Sequence, residues 1–328
     1  VSSLPFEAAQ HLDQWLGEGW TASPLAGDAS VRAYYRVADA SGETFILAYY
    51  PPEVRSQLQR FLRAHDAIRG HGRIPEVLQH CEVAVLQRDA GDRTLFGVLH
   101  AGRAEGLRHY RDAVDLLLAF QESDDQGLNP PFTEEYFVSE LEMAREYYIE
   151  KLMGFDGERL GSYLKTICAK VARHPYVLCH RDYHGQNIHL VNDSLFLIDY
   201  QDLRMGPDTY DLASLLRDRG VARILGDDAE LELLEYYREK AGGDPGMRRR
   251  YFETLLQRSI KILGTFSKQP IVRGRMHYLD FIPATLESIA RCLEELPELA
   301  PLRDMFPLQF DPEQARRRAA ELAKIQER

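Results

Sequence analysis

Residues 176–200 read YVLCHRDYHGQNIHLVNDSLFLIDY. Two short apolar runs, IHLV and LFLI, flank the turn-forming NDS, and a third, YVLC, leads in. The spacing predicts a hairpin over 188–198. Pairing its strands brings Asn187, just before the first, beside Asp199, at the end of the second. Asp182 lies five residues before Asn187, on the loop that enters the hairpin. A chain carrying this stretch has to fold so that several small oxygen-bearing side chains share one end of a two-stranded unit.

One carboxylate and one amide oxygen at such a point suit a hard cation such as Mg²⁺, which keeps several waters and takes few protein ligands. Asp182 can face the same cation without coordinating it. That geometry suits phosphoryl transfer, in which a cation neutralises a triphosphate and a separate carboxylate orients the attacking hydroxyl. An ordinary aspartate is already ionised at neutral pH, so this role needs no special tuning. Asp and Asn are also common turn residues. The pattern H-R-D-x-x-x-x-N, followed twelve residues later by Asp at the end of an apolar strand, is what separates this stretch from an ordinary loop.

Around this stretch the chain divides by periodicity. A short helix is expected over 6–16. A hairpin comes next in SVRAYYRVAD-ASGE-TFILAYY, where Val31, Ala33, Tyr35 and Val37 alternate with Arg32, Tyr34 and Arg36. An amphipathic helix spans EVRSQLQRFLRAHDAIRG, and PEVLQHCEVAVLQRD supplies two more strands. Beyond residue 91 helical text dominates, with helices expected over 107–121, 133–152 and 158–173 and from about 209 onward. Thr133 and Asp311 serve as N-caps. The expected class is α+β, in two lobes: a small β-rich lobe over 1–90 that binds nucleotide, and a larger, mostly helical lobe over 91–328 with the catalytic loop and substrate site.

Composition narrows the partners. Forty basic against 51 acidic residues give a net charge of −11, which disfavours a nucleic-acid partner held by a broad basic surface. Cys81, Cys168, Cys179 and Cys292 are scattered without a CxxC pair, so free buried thiols are expected. No run approaches the ~20 apolar residues of a membrane span, and the first twenty residues lack the pattern of a signal peptide. The expectation is a cytoplasmic protein with a small-molecule substrate and neither a membrane nor a nucleic-acid partner.

His180-Arg181-Asp182 with Asn187 resembles the protein-kinase catalytic loop. HRDYHGQN and LIDYQDLRMGPDTYDLASLL are more similar to the aminoglycoside phosphotransferase branch of that fold. Within the branch, AGDASVRAYYRV, IDYQDLRMGPDTYDLASLLRDRG and LLQRSIKILGTFSK resemble the anomeric kinases of N-acetylmuramate and N-acetylglucosamine. The resemblance runs from about residue 25 to about 305. It implies an ATP- and Mg²⁺-dependent sugar kinase of cell-wall recycling, in which Asp182 is the catalytic base and Asn187 and Asp199 hold Mg²⁺. Asp211 would brace the loop, though it equally suits a plain helix N-terminus, and His180 and Arg181 would shape it. His184 and Gln186 are loop-packing residues within reach of the phosphates.

The pattern also breaks. The third strand, TFILAYY, has no lysine to hold phosphates, Glu53 stands only at the start of the next helix, and AGDAS has one glycine. Ser30, beside Gly27 and Ala29, would donate to a phosphate as in the resembling family. Arg32 or Arg36 would supply the missing charge, Arg32 being nearer the turn, although a hairpin with solvated arginines reads the same. Backbone groups of Gln87 and Asp89 would meet the adenine. Glu140, Gln257, Arg258 and Lys261 are the substrate-binding candidates, with Lys261 opposite the packed stripe of its helix; a solvated lysine would occupy the same place. Two other readings stay open: a kinase of aminoglycosides or other alcohols, and a nucleotide-binding pseudokinase. Intact Asp182, Asn187 and Asp199 speak against the second.

Overall fold

The computed structural model describes residues 4–25, 31–123 and 127–326. Five antiparallel strands form one sheet in the order β1-β2-β3-β5-β4: β1 Thr21–Pro24, β2 Ala33–Ala38, β3 Thr44–Tyr49, β4 Val77–His80 and β5 Ala84–Arg88. Strand alternation gives the sheet two apolar faces. Tyr35, Val37, Phe45, Leu47 and Leu86 pack with Ala8 and Leu12 of helix α1, Phe6–Leu16. Ala48 and Val85 point the other way, toward Leu58, Phe61, Ala64 and Ile68 of α2, Arg55–Ile68. β2 begins at Ala33, not at Val31 as its alternation suggests; Val31 is exposed. Edge strand β1, unpredicted from its TASP sequence, pairs with β2 from Thr21↔Ala38 to Pro24↔Tyr35.

Helices dominate the chain beyond the sheet: α3 Leu95–Ala101, α4 Arg103–Gln121, α5 Glu134–Ala144, α6 Gly161–Val171, α7 Tyr210–Arg217, α8 Ala222–Leu225, α9 Asp227–Lys240, α10 Met247–Arg273, α11 Ile282–Glu295, α12 Ala300–Met305 and α13 Pro312–Gln326. The helix expected over 133–152 is α5 continued by a π-helical segment, Arg145–Leu152. Thr133 accepts from the Tyr136 N–H, and Asp311 from those of Glu313 and Gln314, so both caps form. The class is α+β, as expected.

Helix α10 is the axis of the helical part, packed against α5, α6, α7, α11 and α13. Buried residues occur all around it, Thr254, Gln257, Arg258 and Ser259 among them, so it has no single packed stripe. It approaches α5 so closely that a Cβ on Gly264 would lie 2.8 Å from the backbone of Ala144. Gly264→Leu is therefore expected to destabilise the fold by about 1–3 kcal/mol or more, read as a lower urea midpoint with an unchanged slope.

Between the sheet and these helices stand four short strands: β6 Tyr176–Cys179, β7 Ile188–Val191, β8 Ser194–Leu197 and β9 Arg204–Pro207. β7 and β8 form the expected hairpin, Ile188↔Leu197 to Val191↔Ser194. Its two loop residues, Asn192 and Asp193, take φ of 49° and 59°, the left-handed pair that suits strand twist and that Asn and Asp tolerate. β9, which its RMGP sequence does not suggest, pairs with β6.

Candidate active site

The loop between β6 and β7 is held from several sides. Buried Asp211, at the start of α7, accepts the backbone N–H groups of His180 at 2.6 Å and Arg181 at 2.9 Å. Burial raises its carboxyl above the usual range, opposed by His180 and by those two hydrogen bonds. Its geometry is that of the brace rather than of a simple dipole partner. The His180 ring spans two segments: Nε2–H donates to the carbonyl of Ile198 at 2.9 Å, and Nδ1 accepts the Asp182 N–H at 3.3 Å. Gly185 lies against α3, where its carbonyl accepts the Phe96 N–H, and a Cβ there would fall 2.8 Å from that nitrogen.

Asn187 closes the unit. Its Nδ2 donates to the carbonyl of Asp182 at 3.0 Å, and its own carbonyl accepts the N–H of Ile198, the residue before Asp199. Asp182, Asn187 and Asp199 thus belong to one hydrogen-bonded arrangement. With its amide nitrogen engaged, Asn187 keeps Oδ1 as an acceptor. Asp199 is half-exposed; Oδ1 accepts from Gln201 at 2.9 Å, and Arg32 stands 3.7 Å away. One carboxylate and one amide oxygen fit a hard ion that keeps most of its waters.

Four non-glycine residues take positive φ among the described residues. Two are the hairpin turn. The others are Arg181, at 81°, and Asp199, at 64°, neither in a turn that asks for it. Backbone held in this region stays there only where its surroundings over-determine it, and such residues gather at functional sites.

Asp182 is exposed to solvent, with protein packed densely around it. That enclosure pushes its carboxyl up, but the positive charge of Lys261, then His184, Arg258 and His180, more than offsets it and leaves the group below the ordinary carboxylate range. Lys261 lies mostly buried, 3.7 Å from Glu140, and Gln257 donates to the same carboxylate at 3.1 Å. It is not a solvated lysine. Glu140 and Lys261, with the fully buried Gln257 behind the carboxylate, form one polar wall whose lysine acts on Asp182.

Arg258 does not belong to that wall. Its side chain is 1% exposed, lies over the Tyr210 ring at 4.2 Å, bonds Asp218, and donates to the Arg181 carbonyl at 3.2 Å. It props the loop from behind and is not available to substrate as expected. Periodicity alone does not separate the two roles, because Arg258 and Lys261 are neighbours on the helical wheel.

On the sheet side, Arg36 is tied to Asp89 at 2.6 Å and Asp92 at 2.8 Å. It is thereby removed as a phosphate ligand, and the carboxylate of Asp89 is committed to Arg36 and the Gly91 N–H. Arg32 sits between the rings of Tyr34 and Tyr50, 5.6 and 5.9 Å from their centroids, and close to Asp199. Tyr200 packs on Phe61 of α2 at 5.2 Å, which couples that helix to the end of the hairpin. Gln87 is in β5, paired with Ile46 and Val77; Glu53 is exposed in a short turn before α2. His184 is buried and Gln186 exposed on the loop. Ser30, with Gly27 and Ala29, lies outside the described residues.

Comparison with known proteins agrees with this architecture. The chain is similar to the N-acetylmuramate/N-acetylglucosamine kinase of Pseudomonas aeruginosa, 29% identical over 90% of this chain and 95% of the relative. It resembles the protein of that name from Neisseria meningitidis at 27%, over 84% and 87%. Among solved structures, the ADP-bound aminoglycoside phosphotransferase APH(2'')-Ib superposes with a TM-score of 0.62 at 15% identity, over 88% of this chain and 99% of that one. Plasmodium vivax ethanolamine kinase superposes at 0.61 and 13%, over 83% and 82%. The fold is kinase-like. The family described as the phosphotransferase enzyme family matches residues 21–252, from β1 into α10; the chain belongs to that family and is a small-molecule phosphotransferase acting on an alcohol.

Proposed function

We propose that this protein transfers the terminal phosphoryl group of ATP to the anomeric hydroxyl of an N-acetylated amino sugar, N-acetylmuramate or N-acetylglucosamine. The observation that carries the reading is the joining of Asp182, Asn187 and Asp199 through the His180 ring and the Ile198 backbone, with the pair of Glu140 and Lys261 acting on Asp182 through its lysine. The names of the full-length relatives supply the sugar.

Asn187 Oδ1 and Asp199 would hold Mg²⁺. That ion, when bound, offsets charge on the phosphates during transfer. Asp182 orients the sugar hydroxyl and receives its proton at a carboxylate oxygen; its lowered pKa keeps it ionised at neutral pH. Glu140 offers hydrogen bonds to sugar hydroxyls, the fully buried Gln257 orients its carboxylate from behind, and Lys261 adds positive charge beside it. On the donor side Arg32 takes the place of the absent strand lysine, Ser30 donates to a phosphate, and backbone groups of Gln87 and Asp89 meet the base. The lobe over 1–90 carries the nucleotide, that over 91–328 the acceptor.

ATP consumption with Mg²⁺ across a panel of the two sugars and an aminoglycoside, with the product identified by ³¹P NMR, tests the proposal. Turnover of either amino sugar to a 1-phosphate is expected; turnover of the aminoglycoside alone would overturn it. Arg32→Ala is expected to raise KM for ATP about tenfold or more, the loss of one charged contact, with a smaller change in sugar KM. An unchanged ATP KM would remove Arg32 from the donor site.

A further inference from the structure

Three arginines meet where the start of α5, the catalytic loop and β9 come together. Arg204 lies over the rings of Tyr136 and Phe132, 4.6 and 5.0 Å from their centroids. Arg181 lies over Phe132 at 5.9 Å and donates to the Tyr136 hydroxyl at 3.2 Å. Arg60, from α2, reaches Asp202, two residues before Arg204. The Nε atoms of all three are shielded from water without a hydrogen-bond partner.

Asp202 neutralises Arg60. Among the described residues no carboxylate lies within ion-pair distance of Arg181 or Arg204, whereas Arg217 pairs with Asp227 and Glu230, Arg250 with Asp208 and Asp244, and Arg258 with Asp218. Burial, and then the neighbouring arginines, hold Arg60 and Arg204 below the ordinary arginine range. Two of the three gathered positive charges have no ion-pair partner, Glu140 acting on Arg204 only from beyond ion-pair distance, and they sit on planar groups whose donors match the oxygens of a carboxylate or phosphate. The cluster also borders the acceptor wall. Arg181 immediately precedes Asp182, and Tyr136 stands one helical turn before Glu140.

We infer that Arg181 and Arg204, with Arg60 behind them, form a subsite for one oxyanion carried by the acceptor, and so favour an acidic amino sugar over its neutral counterpart. This rests on the sugar-kinase reading above. Steady-state kinetics of wild type, Arg204→Gln and Arg204→Lys on N-acetylmuramate and N-acetylglucosamine test it. Arg204→Gln is expected to lose about 10- to 100-fold in kcat/KM on the carboxylate-bearing sugar, with little change on the neutral one and partial recovery in Arg204→Lys. Equal losses on both sugars, or none on either, would overturn the inference.

A wild type silent on both sugars would instead break the functional reading, and a second measurement then decides. With Mg·ADP saturating, inorganic phosphate should raise the melting temperature of wild type but not of Arg204→Gln if the cluster takes an oxyanion from solution. The same shift in both proteins, or none, removes the subsite altogether.

Discussion

Asp182→Ala is expected to lower turnover by about two to four orders of magnitude while leaving the protein folded and its affinity for ATP nearly unchanged. The backbone of Asp182 takes part in the loop, through the His180 ring and the Asn187 amide, and both contacts survive the substitution. No hydrogen bond of the fold ends on its carboxylate among the described residues. The loss should therefore appear in kcat and not in the melting temperature. Rapid-quench measurement of a single turnover, beside a nucleotide titration, separates the two. A variant that retained more than about a tenth of the wild-type rate would mean that another group takes the proton.

Arg258→Leu is expected to act in the opposite way, on stability first. Its guanidinium is fully buried, faces Asp218, and holds the Arg181 carbonyl. Removing one partner leaves a buried carboxylate uncompensated, which costs about 3–5 kcal/mol. Ser214 still donates to Asp218 at 2.6 Å, so the lower half of that range is the better expectation. Denaturant unfolding of Arg258→Leu, Asp218→Leu and the double variant should give a double variant more stable than the sum of the single losses predicts. Additive losses would show that the pair is not coupled. The folded fraction of Arg258→Leu should also turn over more slowly, because the loop that carries Asp182 loses a prop.

How much of the fold the sequence discloses depends on how local its signals are. The hairpin over 188–197 is legible because its strands, its turn and its flanking acids lie within two dozen residues, and α1, α2 and most of the first sheet show clean periodicity. β1 and β9 are not legible. TASP and RMGP carry turn-forming residues and little apolar alternation; they are strands because an established neighbour, β2 or β6, pairs with them. Gly206 in β9 belongs there for a tertiary reason as well, since a Cβ would fall 2.5 Å from the Phe132 ring.

The site shows the same division. Asp182, Asn187, Asp199 and Asp211 can be named from sequence because one loop, one hairpin and the helix just beyond them set their spacing. The roles of Arg36, Arg258 and Arg204 depend on residues far along the chain. Asp89 claims Arg36 across 53 positions, Asp218 claims Arg258 across 40, and the ring of Tyr136 supports Arg204 across the body of the lobe. Position on a strand or helix face says where an arginine starts, and not which carboxylate receives it.

A crystal structure of the protein with Mg²⁺, a non-hydrolysable ATP analogue and N-acetylmuramate bears most directly on the central claim. The account predicts one ion bound by Asn187 Oδ1 and the Asp199 carboxylate, with Asp182 within hydrogen-bond reach of the anomeric hydroxyl. An ion held elsewhere, or a sugar bound with that hydroxyl turned away from Asp182, would contradict it.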